Sequence, residues 1–421
     1  MSASSEIDVG VLTGPDVAGR VVRGGAQRVV AFGIVNLLGV ASSVVLLRYL
    51  GVADFGRYGT VIALVAIASA LAEAGLNMTG SRELALLPAG RERRRLLGAL
   101  LGVRLLLIVV AVMAAVGFAV LAGYDSVMLA GTVLAGVGAV LIAAQSTLGL
   151  PLVVELQNAL LSINEVLKQV ILVVGVLALA AMGAALTPFF AVQIAVGIGA
   201  LALLPFLVDR SQLAWPTLSR ERLRHLAFTA LPIALAAIIT AFYTRTLIVM
   251  ASLLTSEFET GLFVTSSRVI EMVGGLAMLA TGVILPVATV AARDDRARLR
   301  YMLEHTTKLV LVGGGLLALT LVFAARPIVV LLGGEEFAAA APVLRLQAPV
   351  VLSIFLVYGW TAFLIADGRR RALVQSMLVG TSTLFVTGVV LLAQLDAEGA
   401  ALAAVAADVV LAALFLRAVR H

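Results

Sequence analysis

Residues 226–254 read LAFTALPIALAAIITAFYTRTLIVMASLL, with one charged side chain, Arg245, in the whole stretch. The hydrocarbon core of a bilayer takes about 20 apolar residues of helix, so this segment has the length and character of a membrane span. Similar stretches recur along all 421 residues. The chain is 62% hydrophobic and 13% charged, with a mean hydropathy of +1.11, whereas soluble domains are about 25% charged. The near-continuous apolar runs also exclude a transmembrane β-barrel, whose strands alternate lipid-facing and lumen-facing residues. The fold class is therefore an all-α polytopic membrane protein.

Apolar runs between polar breaks predict twelve spans, at about 25–47, 58–79, 100–122, 126–147, 166–182, 187–208, 226–254, 261–290, 308–331, 343–366, 372–393 and 399–416. Pro151, Glu155 and Asn164 interrupt the pattern over 146–170, which reads as an overrun of span 4, a turn and the start of span 5. The longest hydrophilic stretch, DRSQLAWPTLSRERLRH at 209–225, divides six spans from six. The expected organisation is a cytoplasmic N-terminal segment over 1–24, an N-lobe over 25–208, a linker over 209–225 and a C-lobe over 226–421.

Of the 30 Lys and Arg residues, 22 fall in loops on the side of the N-terminus, four on the opposite side and four within spans. Short cytoplasmic loops carry the excess of basic residues, which places both termini in the cytoplasm. The net charge of +6 is thus a topology signal and calls for no nucleic acid. The first 20 residues are too polar for a signal peptide. There is no cysteine, and His225, His305 and His421 lie far apart, so neither a disulfide nor a His/Cys metal site is expected.

The halves resemble each other weakly. RYLGVADFGRYG (48–59) follows span 1 and SLLTSEFETGLF (252–263) follows span 7, each with an acidic residue, then Phe, then Gly; MGAALTPFF (182–190) opens span 6 and EGAALAAVA (398–406) opens span 12. Duplicated halves with a substrate site near the midplane are a pattern of secondary transporters.

RYLGVADFGRYG resembles the LG-x-x-x-FG-x-Y signature of bacterial polysaccharide transporters, the lipid-linked oligosaccharide and O-antigen flippases of the multidrug/oligosaccharidyl-lipid/polysaccharide (MOP) exporter superfamily. FYTRTLIV (242–249), GLFVTSSRVIEMV (261–273) and GGEEFAAAAPVLRLQAP (333–349) resemble further motifs of that family in order. One departure is Leu247, where the family often has Asp. The resemblance implies two six-helix lobes around a central cavity. It also implies alternating access that carries a polyprenyl-diphosphate-linked oligosaccharide across a bacterial inner membrane for polysaccharide biosynthesis. Membrane lipids, and a polymerase or glycosyltransferases of the pathway, are the partners it suggests.

Functional candidates are the charges and amides at bilayer depth, because such groups are costly there and mark sites or pathways. Arg245 lies about twelve residues before Glu257, roughly 18 Å along the helix axis, beyond comfortable snorkelling. Its guanidinium suits a diphosphate, which it grips through two parallel hydrogen bonds; the competing reading pairs it with Glu73, Glu155 or Glu165. Arg268 and Glu271 are three apart and share a helix face. They form an ion pair or, in the sharper reading, a switch in which substrate phosphate takes Arg268 and frees Glu271 for a proton. Arg28, Asn36 and Asn77 complete the candidate substrate contacts. Glu73 and Asp408 join Glu271 as coupling candidates, with H+, Na+ or the membrane potential as the driving agent. Arg104 reads as a snorkel.

No catalytic residue, cofactor or metal is expected. A multidrug or organic-ion exporter of the same superfamily is the alternative transporter, which the cationic Arg245 and Arg268 disfavour. An integral-membrane glycosyltransferase or ligase is the alternative enzyme, which the short outer loops disfavour. No G-x-x-x-x-G-K-[ST] loop is present, which argues against an ABC exporter.

Overall fold

Apolar side chains at nearly every position leave the backbone of each span no partner but itself, and a helix is the solution that satisfies every N–H and C=O locally. The structure, a computed structural model, describes residues 15–73, 75–88, 90–209, 212–217 and 220–420. The first helices are α1 (Pro15–Glu73), α2 (Leu76–Ala85), α3 (Arg91–Leu121), α4 (Ser126–Leu148), α5 (Leu150–Val154), α6 (Asn158–Ala181) and α7 (Leu186–Leu207). After the segment that follows Leu207 come α8 (Arg220–Leu254), α9 (Glu257–Asp294), α10 (Arg296–Gly333), α11 (Ala340–Ala366) and α12 (Arg370–Arg420). Among the described residues, ten helical stretches are long and apolar enough to cross a membrane. Two of them, in α1 and α12, are bent at Gly51 and Asp396 and each holds two of the twelve expected spans.

Several boundaries have local causes. Asp125 and Ser256 accept hydrogen bonds from the backbone N–H groups of Met128 and Glu259, capping α4 and α9, and Asp295 caps α10 through Arg298; such side-chain oxygens satisfy N–H groups that the first turn leaves free. Gly51 has φ 72° and ψ 178°, a region essentially reserved for glycine, and there α1 changes direction without a loop. The expected polar loop between spans 1 and 2 is therefore a bend within one long helix.

The helices form two groups. In the first, α1 packs on α3, α4 and α6, while α7 packs on α4 and α6; in the second, α11 packs on α9, α10 and α12, and α12 on α8. α1 also packs against α8 and α9 and so lines the seam between the lobes. The protein has a basic face, where residues 82–88, 90–95, 293–308 and 369–371 lie, and an opposite face holding Arg57, Asp125 and Glu257. Trp215 is exposed on the segment before α8, which docks on α3 through a hydrogen bond from Thr217 N–H to the Gly98 carbonyl.

Candidate functional site

Arg245 on α8 does not meet Glu73, Glu155 or Glu165. Its Nη1 pairs with Glu271 Oε1 on α9, while Glu155 pairs with Arg93, Glu165 with Lys168, and Glu73 accepts from Asn77. The other Glu271 oxygen is 3.1 Å from Arg268 Nη1, the expected pair one turn away. A single carboxylate thus bridges two arginines and the group keeps one net positive charge. The side chains of Arg245, Glu271 and Arg268 are 30, 32 and 40% exposed. At mid-span an unpaired charge is costly against hydrocarbon, and the shared carboxylate offsets that cost for both arginines.

The group also touches the other lobe. Arg268 Nε donates to Ser43 Oγ on α1 at 2.9 Å. Asn36, seven residues before Ser43 and so on the same side of α1, faces Gly275 of α9: a Cβ there would lie 3.5 Å from its Oδ1. Its amide donates to the Phe32 carbonyl of its own helix at 2.8 Å. Four of the expected residues, Arg245, Arg268, Glu271 and Asn36, therefore meet at the seam of α1, α8 and α9.

The remaining candidates lie elsewhere. Asn77 donates to Glu73 at 3.1 Å and to Ser146 at 3.3 Å, and accepts from Arg104 Nη1. Arg104, expected to snorkel, is 6% exposed; the break at Gly75, in a left-handed conformation, sets α2 so that Asn77 meets it. These residues form a polar cluster inside the first lobe, apart from the seam. Asp408 on α12 is buried and receives a hydrogen bond from the Tyr243 hydroxyl of α8. Arg28 lies on α1, but its side chain falls outside the described residues. Among the described residues no group of three or more His, Asp or Glu side chains is placed to hold a metal.

The opposite face closes over the seam. Arg57 of α1 reaches Glu257 of α9 at 2.8 Å, Asp54 at 3.2 Å and Asp125 at 3.6 Å. The Tyr124 hydroxyl is 2.6 Å from Ser252 Oγ; burial raises the phenol pKa against the lowering effect of that bond, so its proton stays on. Arg48 donates to the carbonyls of Leu331 and Leu332. Beneath them the backbones nearly touch: a Cβ on Gly261 would lie 2.0 Å from the Val52 carbonyl oxygen, and one on Gly56 would lie 2.7 Å from Gly261 N. Gly56 and Gly261 are the glycines that follow the phenylalanine in the two similar stretches, 48–59 and 252–263.

A family profile described as "Polysaccharide biosynthesis protein" matches residues 21–292. The chain belongs to that family. Similar solved structures agree on the fold. One is lipid II flippase MurJ in an inward closed conformation, with TM-score 0.79, 12% identity, and 94% of this chain covering 87% of that one. Another is an inward-facing multidrug resistance MATE family transporter of the MOP superfamily, with TM-score 0.66, 14% identity and coverage of 94% and 97%. A third is a MOP superfamily transporter from Pyrococcus furiosus, described as having a binding pocket of reverse polarity, with TM-score 0.62, 15% identity and coverage of 95% and 94%. No curated protein matches the chain. The chain is thus a multi-pass membrane protein with the fold of the MOP flippases and transporters.

Three participants escaped the sequence reading. Ser43 and Tyr243 are ordinary polar residues in apolar runs, and Arg57 looks like a loop charge. The packing of α1 on α9, and of α8 on α12, brings Ser43 to Arg268, Arg57 to Glu257 and Tyr243 to Asp408.

Proposed function

We propose that the protein is a flippase that carries polyprenyl-diphosphate-linked oligosaccharide from the cytoplasmic to the outer leaflet of a bacterial inner membrane, for polysaccharide biosynthesis. The observation that carries this reading is the half-open Arg245–Glu271–Arg268 group at mid-span between the lobes. Its surplus positive charge and planar guanidinium forks suit a diphosphate and give an organic cation no partner that Arg245 and Arg268 do not already claim. The basic face is assigned to the cytoplasm from the loop charges, with both termini there. The lobes alternate: they are joined by Arg57, Tyr124 and Arg48 on the outer side in the form described, and part there to release the glycan. Glu271, Glu73 and Asp408 are the coupling candidates for H+ or Na+, with the membrane potential as an alternative drive. Pathway polymerases or glycosyltransferases are the proposed protein partners.

The test is native mass spectrometry of the full chain, wild type beside Arg245→Ala, with a purified polyprenyl-diphosphate glycan. Wild type should retain the adduct, and the variant should lose about tenfold in affinity or more, the worth of one charge-assisted pair. Equal retention would make Arg245 structural. Binding by neither protein would remove the flippase reading and favour a drug exporter.

A further inference from the structure

A recess lies away from the seam, on the basic face of the second lobe, between α10 and the ends of α11 and α12. It has a volume of about 770 Å³, within the range of small-molecule sites. Four cations stand at it, Arg296, Arg300, Lys308 and Arg369, against two carboxylates, Glu304 and Asp367. Asp367 is shared by Arg296 and Arg369, with Arg369 Nε 2.6 Å away, and Glu304 is 3.4 Å from Arg300. Lys308 has no ion-pair partner among the described residues. Arg296 and Arg300 remain 74 and 82% exposed, each with guanidinium donors to spare. The recess therefore carries two uncompensated positive charges.

Its floor has a different chemistry. Leu303, Phe363, Leu364 and Leu416 line it beside Trp360, whose indole N–H is already taken by Thr307 Oγ1 at 2.9 Å. A cationic rim over an apolar floor suits an amphiphile better than a free polyanion. The level in the membrane agrees. On α10 the exposed apolar run starts immediately after Lys308, with Leu309, Leu311, Val312, Leu316 and Phe323 turned outward. One to two turns before it, Tyr301 is exposed as interfacial aromatics are. Lys308 thus stands at the boundary between hydrocarbon and headgroups.

We propose that this recess binds the phosphate of an anionic phospholipid headgroup, with Lys308 and Arg300 as its main contacts and the Leu303–Phe363 floor under the glycerol and upper acyl chain. Basic pockets between membrane helices take phosphorylated headgroups in this way. Arg296 and Arg369 are held by Asp367 and fix the wall that joins α10 to the loop before α12. The site is independent of the transport reading, because it is separate from Arg245 and is read by binding alone.

The experiment is native mass spectrometry of the delipidated full chain with phosphatidylglycerol, phosphatidylcholine or sn-glycerol 3-phosphate added in turn. Phosphatidylglycerol should bind at least tenfold more tightly than the other two. Lys308→Ala with Arg300→Ala should weaken it about thirtyfold, from the typical worth of two basic residues at an anionic surface. Arg298→Ala removes an exposed charge from the same helix but outside the recess and should change little. Equal binding of the two phospholipids, or an equal loss in Arg298→Ala, would overturn the site. Glycerol phosphate binding as tightly as phosphatidylglycerol would overturn the lipid assignment in favour of a soluble phosphate ester.

Discussion

Glu271 is the residue on which the central group turns, because its two oxygens hold Arg245 and Arg268 at once. A diphosphate entering the seam must compete with it for both guanidiniums. Glu271→Gln removes the competitor and raises the local charge from one to two positive units. Partner loss costs 3–5 kcal/mol in a buried pair and little at a surface; a third of Glu271 is exposed, so about 1–2 kcal/mol is expected. The variant should fold and bind a polyprenyl-diphosphate glycan more tightly than wild type. Binding isotherms of the two proteins check this; weaker binding by the variant would remove the competition mechanism. Arg245 and Arg268 were legible in the sequence because a charge in an apolar run is conspicuous. Their geometry was legible only where it is local, as in the three-residue spacing of Arg268 and Glu271. The Arg245–Glu271, Arg268–Ser43 and Tyr243–Asp408 contacts depend on how helices turn against each other, and a single sequence does not encode that in any short pattern.

At the scale of the element, α1 holds two glycines with opposite requirements. Gly33 has nothing within 4 Å of an added Cβ and no positive φ, whereas Gly51 sits at φ 72°, ψ 178°. Ala at Gly33 should be neutral or stabilise the helix by up to about 1 kcal/mol. Ala at Gly51 has to adopt a conformation that costs about 1–3 kcal/mol. Thermal unfolding of the two variants in the same detergent should therefore move in opposite directions; a Gly51→Ala midpoint equal to wild type would show that the bend is not strained. The spans themselves could be read from apolar length alone. That reading could not tell a loop from a bend, because a polar stretch such as RYLGVADFGRYG marks an exit from lipid but leaves open whether the helix unwinds there. For the same reason the expected break between spans 11 and 12 is a bend at Asp396, φ 48° and ψ −128°, within α12.

The whole molecule is organised around one asymmetry: the polar bridges between lobes described here lie at mid-span or at the opposite face. Their centre is Arg57, which serves Asp54 and Asp125 from its own lobe and Glu257 from the other. Arg57→Glu would set four carboxylates together and remove the attraction that holds Glu257. Only the Glu257 contact crosses the seam; a partly exposed pair is worth about 0.5–1 kcal/mol, so its loss, with repulsion put in its place, favours parting of the lobes by about 1–2 kcal/mol. A shift of that size multiplies a minor open population about tenfold. The chain contains no cysteine, so a single reporter can be placed without background. Thr60→Cys suits the purpose, being fully buried beside the small recess that Arg57 and Glu257 also line. In Arg57→Glu its labelling by a membrane-impermeant thiol reagent, added to the side that the proposed orientation makes the outer one, should speed up about tenfold. The exchanged pair Arg57→Glu with Glu257→Arg restores one cross-lobe attraction and should slow it again. Labelling that is fast in all three proteins would mean that the outer side is not held shut by charge. Labelling that is slow in all three would leave closure to the packing of Gly56 on Gly261, where the backbones meet too closely for any other residue.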